Sequence, residues 1–446
     1  MAIPFAGKRP PKQVAKSSVP PPPPRPPELP VGEVFVVGGM PTYTYVDRAE
    51  FGMEDRFLDA LEDGGKIITI SGPTKSGKTV FCKKMLPEDQ RVWIGGGTVS
   101  NADDVWTAII HKLDGATWRQ SEASQTDQEG DEYAGEAGLN ILAATARGEK
   151  RTSHTKTISA AKSKLKVSSP VHEATELLVK TKATLVIDDF HYLEERERVR
   201  VVRALKGPLE EGLRVVFLCV PHRAIEPIRA EREMQGRIEV ISVPDWRENE
   251  LREIATKGFD ALNVAADDQV LEAFVLESFG SPHLMQEFCK HLCRMNKVRN
   301  KQLLAKALSL RDRDGFFRRA LDGGAQDILD SLACGPLGSR ARMQRNFING
   351  ETGDIYVAVL RAIANTGPKT KLTYNELRES LRDILADEPP AANEITRVLE
   401  KISEISKRRF GDRGAIDFED TRRTIHVVDP FVAFYMRWGP PIGGEQ

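Results

Sequence analysis

Eight residues, Gly72-Pro73-Thr74-Lys75-Ser76-Gly77-Lys78-Thr79, directly follow the apolar run Lys66-Ile67-Ile68-Thr69-Ile70-Ser71. No other stretch constrains the fold of this chain as tightly. The run is short, β-branched and apolar, which predicts a buried strand. A helix is predicted to follow over Lys78–Met85, and the glycines let the intervening backbone curl so that successive N–H groups converge. Such a loop at a helix N-terminus is an anion cradle, because both the free N–H groups and the helix dipole favour phosphate. Lys78 is placed to reach the β- and γ-phosphates of a nucleotide, and the Thr79 hydroxyl to ligate Mg²⁺. Gly72, Pro73, Thr74, Lys75, Ser76, Gly77 and Val80 complete the expected phosphate-binding segment.

A second motif, Leu185-Val186-Ile187-Asp188-Asp189-Phe190-His191, is an apolar strand that ends in two acids. Read alone, it is equally an ordinary buried strand closing on a solvated turn. Its place ~110 residues after a phosphate loop decides for a functional role. Asp188 is then expected to hold Mg²⁺ through water, and Asp189 to orient or polarise the attacking water.

Around these motifs, residues 33–246 alternate strands and helices. Strands are predicted at Ile67–Ser71, Arg91–Ile94, Leu185–Asp188, Val215–Val220 and Ile238–Val243. Helices are predicted at Glu50–Leu61, Lys78–Met85, Ala102–Leu113, His172–Lys180 and Glu194–Ala204. That alternation implies an α/β fold with a parallel sheet and a ligand at the carboxyl ends of its strands. An insertion at about 115–170, rich in Gly, Ala, Ser, Thr and charge, interrupts it and is read as a partner-contacting or mobile excursion. Residues 1–32 are basic and then proline-rich, and a polyproline run builds no core. A stiff tether or disordered tail suits them better than a ligand for an aromatic-grooved module.

Helical patterns fill a lid at 247–335, with Glu250–Ala261, Asp268–Phe279 and Pro282–Met295. Residues 350–438 differ in kind. Helices at Ile355–Ala364, Tyr374–Leu385 (opened by the capping box Thr373-x-x-Glu376) and Ala392–Lys407 precede strands at Ala415–Glu419 and Thr424–Asp429. Three helices and a hairpin make a winged helix.

The 446-residue chain suffices for two or three domains with cores of their own. Its net charge of −1 gives no general bias towards nucleic acid, so any such attraction has to be local. Five cysteines (Cys82, Cys219, Cys289, Cys293 and Cys334) suit buried thiols in a reducing compartment rather than a disulfide framework. Cys289, His291 and Cys293 lack the four convergent ligands of a zinc site, which favours packing. With neither a signal-peptide pattern nor an apolar run long enough to span a bilayer, a soluble cytoplasmic protein without membrane contact is expected. No Asn/Thr-Lys-x-Asp guanine signature occurs.

Taken in order, Gly72–Thr79, Asp188-Asp189, a polar-ended fourth strand, Arg237, Gly280-Ser281-Pro282 and a winged helix closing on Asp429–Trp438 resemble the AAA+-like P-loop ATPases of the signal-transduction (STAND) group, with their ASCE-type sheet. The resemblance spans about 33–438, and its two nucleotide motifs are the specific part. It implies ATP with Mg²⁺ as ligands and a switch that is inactive with ADP and assembles, or exposes a partner surface, with ATP. It further implies that His222 or Arg223, after the fourth strand, senses the γ-phosphate, a plain surface turn being the equal alternative, and that Arg237, with Arg223, Arg229 and Arg232 nearby, acts as an inter-subunit arginine finger. On the same basis His283 contacts the β- or γ-phosphate from the lid, and adenine lies near Tyr43–Arg48. Many related ATPases carry Asp-Glu where this chain has Asp188-Asp189. The shorter second acid predicts slow hydrolysis, or none in a purely ATP-bound scaffold.

Relatives in this group serve signalling, antiviral defence, transposition and replication initiation. Self-association and a separate protein effector are the partners implied. Lys401, Lys407, Arg408, Arg409, Arg413, Arg422 and Arg423 fall where a winged helix meets phosphate, so DNA is a second candidate partner. Interspersed acids (Glu400, Glu404, Asp412, Glu419 and Asp420) argue instead for docking on the ATPase core.

Overall fold

The computed structural model describes residues 28–73, 75–113, 169–219, 236–321, 323–336, 342–410 and 414–443. Nearly all of the insertion read at about 115–170 therefore lies outside the described residues, as do His222 and Arg223.

Five parallel strands form the central sheet: β1 (Ile67–Ser71), β2 (Arg91–Gly95), β3 (Thr184–Asp188), β4 (Val215–Cys219) and β5 (Ile238–Ser242), in the spatial order β2-β3-β4-β1-β5. Strand period places alternate side chains on opposite faces. Ile67, Leu185, Ile187, Val215 and Phe217 pack on one side, with Trp106, Leu178 and Leu205. Ile68, Ile70, Val186, Val216 and Leu218 pack on the other, with Phe57 and Phe81. Both faces are covered, which is why these strands read as unbroken apolar runs. The short α1 (Val31–Val34) is the first element among the described residues. One sheet face carries α2 (Met53–Asp63) and α3 (Lys78–Met85). The other carries α4 (102–113), α5 (Pro170–Thr181) and α6 (Glu195–Glu210). Helix α6 runs past its expected end at Ala204 and through Gly207-Pro208, because Val201, Leu205 and Leu209 keep one stripe buried.

A second body contains α7 (Glu248–Leu262), α8 (Asp268–Glu277), α9 (Pro282–Met295) and α10 (Arg313–Arg319), with the short parallel pair β6 (Val264–Ala266) and β7 (Lys306–Leu308). Its core is aromatic: Phe259, Phe274, Phe288, Phe316 and Phe317 are joined by Phe35 and by Phe434 from the far end of the chain. Val31, Val34 and Phe35 thus pack with the lid rather than with the sheet.

The C-terminal unit holds α11 (Gly323–Cys334), the two-residue strands β8 (Arg345–Asn346) and β9 (Thr352–Gly353), α12 (Ile355–Asn365), α13 (Tyr374–Ile384) and α14 (Ala392–Phe410). A three-stranded antiparallel sheet follows, β10-β12-β11, from Lys371–Thr373, Thr424–Val427 and Ile416–Glu419 respectively. The expected capping box forms at Thr373 and Glu376. Last comes α15 (Pro430–Trp438), whose two faces have different owners. Val432, Ala433, Tyr435 and Met436 belong to the C-terminal core, whereas Phe434 is buried among the lid phenylalanines. The helix therefore joins the two bodies.

Candidate nucleotide site

Because the sheet is parallel, β1 and β3 deliver their carboxyl ends to one edge, where the two sequence motifs meet. The loop after β1 takes left-handed φ at Lys75 (+59°) and Gly77 (+96°), the second as N-cap of α3. A Cβ on Gly72 would come 3.0 Å from both Ser76 Oγ and Val243 Cβ, so glycine lets the loop lie against the end of β5. Lys78 is 8% exposed, and its Nζ donates to the carbonyls of Gly72 (2.9 Å) and Pro73 (2.7 Å). Its ammonium is thus drawn over the loop. Ser76 Oγ is buried and has no hydrogen-bond partner among the described residues. A buried hydroxyl of this kind awaits a partner, and an ammonium and an orphaned hydroxyl at a helix N-terminus suit a polyphosphate.

Thr79 Oγ1 donates to Asp188 Oδ2 at 3.2 Å, joining the first turn of α3 to the end of β3. Burial, and next the Asp189 charge, push the Asp188 carboxyl above its usual range; the bond from Thr79 and the Lys78 charge oppose them. An oxygen pair with a carboxylate in such surroundings fits a hard divalent cation, which these two groups would hold beside the phosphates. Asp189 follows in the left-handed region (φ +52°), and its N–H donates to Asp188 Oδ1 at 3.0 Å. A non-glycine residue held there carries strain that tends to gather at functional sites. The clamp is Gly96, where a Cβ would fall on the Asp189 carbonyl oxygen.

A cavity of about 640 Å³ is lined by Lys75–Phe81, Asp189, His283 and residues between Val36 and Met53. Such a volume suits a small-molecule ligand. Ser281 caps α9 by accepting from Leu284 N–H (3.4 Å), so Gly280-Ser281-Pro282 starts a helix as its sequence says. The His283 ring meets Phe431 of α15 edge-on, with centroids 5.1 Å apart. Trp246 Nε1 donates to the Ser76 carbonyl at 2.8 Å. Beside it, buried Arg48 pairs with Glu250 at 2.7 Å and donates to the carbonyls of Pro244 (3.2 Å) and Asp245 (3.0 Å). That pair clasps the linker between sheet and lid.

Arg237 lies elsewhere. Its carbonyl accepts from Ile67 N–H (2.8 Å) at the start of β1, and its guanidinium pairs with Glu210 at 3.1 Å. The five-residue strand separates it from its own phosphate loop by roughly 16 Å. Service as a finger therefore requires the site of an adjacent copy.

Several of the basic residues expected to meet DNA also stand beside acids. Arg408 bonds Glu404 at 2.6 Å, Arg422 is 3.6 Å from Glu419, and Lys401 and Lys407 pair with Glu404 and Asp417. The side chain of Arg409, and Arg413 altogether, lie outside the described residues, as does Thr74. Cys289 and Cys293 are buried in the lid, where burial pushes the Cys293 thiol up to about 12. His291 packs its ring 4.9 Å from that of Phe316. Among the described residues no cluster of metal-binding side chains occurs, and no helix is long and apolar enough to cross a membrane.

Trp246, Gly96, Phe431 and the Arg48–Glu250 pair escape a reading by motif. Only Gly95-Gly96-Gly97 after a predicted strand carried a usable signal, since such a run marks close backbone approach.

No protein-family model matches the chain, and no curated protein matches it. Solved structures do. A Walker-type ATPase of Pyrococcus abyssi is similar over 88% of this chain and 96% of its own, at 15% identity and a TM-score of 0.53. Cdc6p of Pyrobaculum aerophilum (12% identity, 90% and 96% covered, TM-score 0.41) is a looser match. Looser still is a STAND protein with a tetratricopeptide repeat sensor from Pyrococcus horikoshii (14% identity, 87% and 42% covered, TM-score 0.34). The first likeness, with the sheet order and the loop, shows that the chain shares the fold of that Walker-type ATPase.

Proposed function

We propose that the chain binds ATP with Mg²⁺, hydrolyses it slowly, and serves as a nucleotide-dependent switch. The observation that carries this reading is the 3.2 Å bond between Thr79 and Asp188 beneath a loop whose lysine and orphaned serine face the same cavity. In it Lys78 leaves the Gly72 and Pro73 carbonyls for the β- and γ-phosphates, and Ser76 Oγ gains its missing partner. Mg²⁺, held by Thr79 and Asp188, would neutralise phosphate charge. Asp189, on its clamped turn, accepts a hydrogen bond from the attacking water and orients it. One methylene shorter than glutamate, it reaches less far, hence slow turnover. The switch part rests on His283 and Lys75, which line the cavity and also touch the ring of Phe431 on the helix shared with the C-terminal unit. A change at the phosphates can therefore be felt by that unit.

Roles in signalling or antiviral defence fit such a device, with self-association or a protein effector as the output. A DNA-binding ATPase of transposition or replication initiation is the second reading; the acids beside Arg408, Arg422, Lys401 and Lys407 lower the local positive charge that it needs. Titration calorimetry with Mg-ATP tests the core claim. The parent should bind and Lys78→Ala should lose binding by tenfold or more while keeping its circular dichroism spectrum. Equal affinities would refute the assignment of the loop.

A further inference from the structure

Phosphates at the loop leave the rest of the cavity for base and sugar. Its other walls include apolar Val36, Met40, Val46, Met53 and Ile254. Two polar side chains on that lining are almost wholly buried: Thr44, 2% exposed, and Gln286 of α9, 6% exposed. Gln286 stands one helical turn beyond His283. The Thr44 hydroxyl is 3.1 Å from Gln286 Oε1 and 3.3 Å from the Val34 carbonyl oxygen. Packing fixes Thr44 in turn: a Cβ on Gly258 would come 2.9 Å from Thr44 Cγ2 and overlap the Phe35 ring. The hydroxyl has one proton for these two acceptors, and the shorter contact gives it to Oε1, which turns that end of the amide towards Thr44. Oε1 keeps a second lone pair, and Nε2 keeps two protons without a hydrogen-bond partner among the described residues.

We propose that Gln286, oriented by Thr44, makes this site select adenine over guanine; the inference rests on the nucleotide-binding reading above. An amide offers a donor beside an acceptor. Adenine answers with a ring-nitrogen acceptor beside its amino donor, the pairing glutamine makes with adenine elsewhere. Guanine presents either two adjacent acceptors or the opposite order, so one amide group would face a like partner in a buried wall. Unpaired polar groups are costly there, which turns a mismatch into discrimination of at least about tenfold.

Competition binding with Mg-ATP and Mg-GTP on the full chain decides it. The parent should prefer ATP by tenfold or more. Gln286→Leu should lower ATP affinity to that of GTP while GTP binding stays within twofold of the parent, which also certifies that the variant is folded. Thr44→Val, which frees the amide to turn, should remove part of the preference. Equal binding of ATP and GTP by the parent, or an unchanged ratio in Gln286→Leu, overturns the base-reading role alone. A parent that binds neither triphosphate overturns the nucleotide-binding reading beneath it.

Discussion

The Lys75 ammonium stands 3.3 Å from the centre of the Phe431 ring, so the phosphate loop and the chain's last helix touch directly. Loop and helix are more than three hundred residues apart in sequence. A cation on an aromatic face contributes about 0.5–2 kcal/mol, depending on how dry the contact is. Phe431 also meets His283, so one side chain links the phosphate loop, the lid and the C-terminal unit.

Removing that ring should loosen the cover more than the site. Phe431→Ala is expected to speed nucleotide release several-fold, in line with a loss of about 1 kcal/mol. Stopped-flow displacement of a fluorescent ADP analogue reads this directly. Release at the parent's rate would mean that the contact does not hold the bound state.

Glu277 should anchor the same helix from the other side. Its side chain is fully buried and accepts from Trp438 Nε1 (2.8 Å), Arg437 Nε (3.1 Å) and Arg313 (3.2 Å). Glu277 is buried, but Arg437 and Arg313 are 32% and 48% exposed and can turn to water, so its loss removes charge-assisted bonds worth about 1–2 kcal/mol rather than stranding buried charges. Glu277→Leu should therefore lower the denaturation midpoint and expose α15 to protease, whereas Glu277→Gln, which keeps an acceptor, should do less. Indistinguishable denaturation curves for Leu and parent would rule out the anchor.

Gly96→Ala tests the acidic turn. The added methyl would collide with the Asp189 carbonyl and with that of Asp188, both backbone atoms that cannot swing aside. Overpacking of this sort costs about 1–3 kcal/mol. Because the strain falls on the turn carrying Asp189, turnover should drop more than Mg-ATP affinity. A variant with parental turnover would show that the turn tolerates displacement.

Motif and period carried the sheet, the loop and the helices that bury a long apolar stripe. Lys78–Met85 and Pro282–Met295 agree end to end, since a glycine-closed turn and a Ser-Pro cap mark their starts without ambiguity. The short strands β6 to β10 left no trace, because two or three residues cannot display a period of two. At the site, Thr79 and Asp188 were legible because each belongs to a spaced pattern, but the partners that tune them were not. Trp246 reaches Ser76 from a linker, and Phe431 reaches Lys75 from the last helix; both contacts depend on how separate bodies dock. The tail boundary blurred for a similar reason. Val31, Val34 and Phe35 look like the end of a proline-rich stretch, yet they fill a lid core whose other walls lie far along the chain.

The last prediction separates binding, hydrolysis and assembly. Asp188 bonds Thr79, and on the proposed reading that pair serves the metal and leaves Asp189 for the water. Asp189→Asn should then bind Mg-ATP as the parent does while turnover falls at least tenfold, because an amide is a far weaker acceptor for the water's proton. Arg237 is far from its own loop and pairs with Glu210 on a surface that another copy can reach, 35% exposed on its side chain. If it completes a neighbour's site, the long-lived ATP state of Asp189→Asn is also the larger assembly, and adding Arg237→Ala returns it to the size seen with ADP. Size-exclusion chromatography with light scattering, in ATP and Mg²⁺ at micromolar protein, reads both. A strict monomer in Asp189→Asn would exclude ATP-driven self-assembly and confine the switch to one chain, where the Phe431 contacts with Lys75 and His283 remain to carry it.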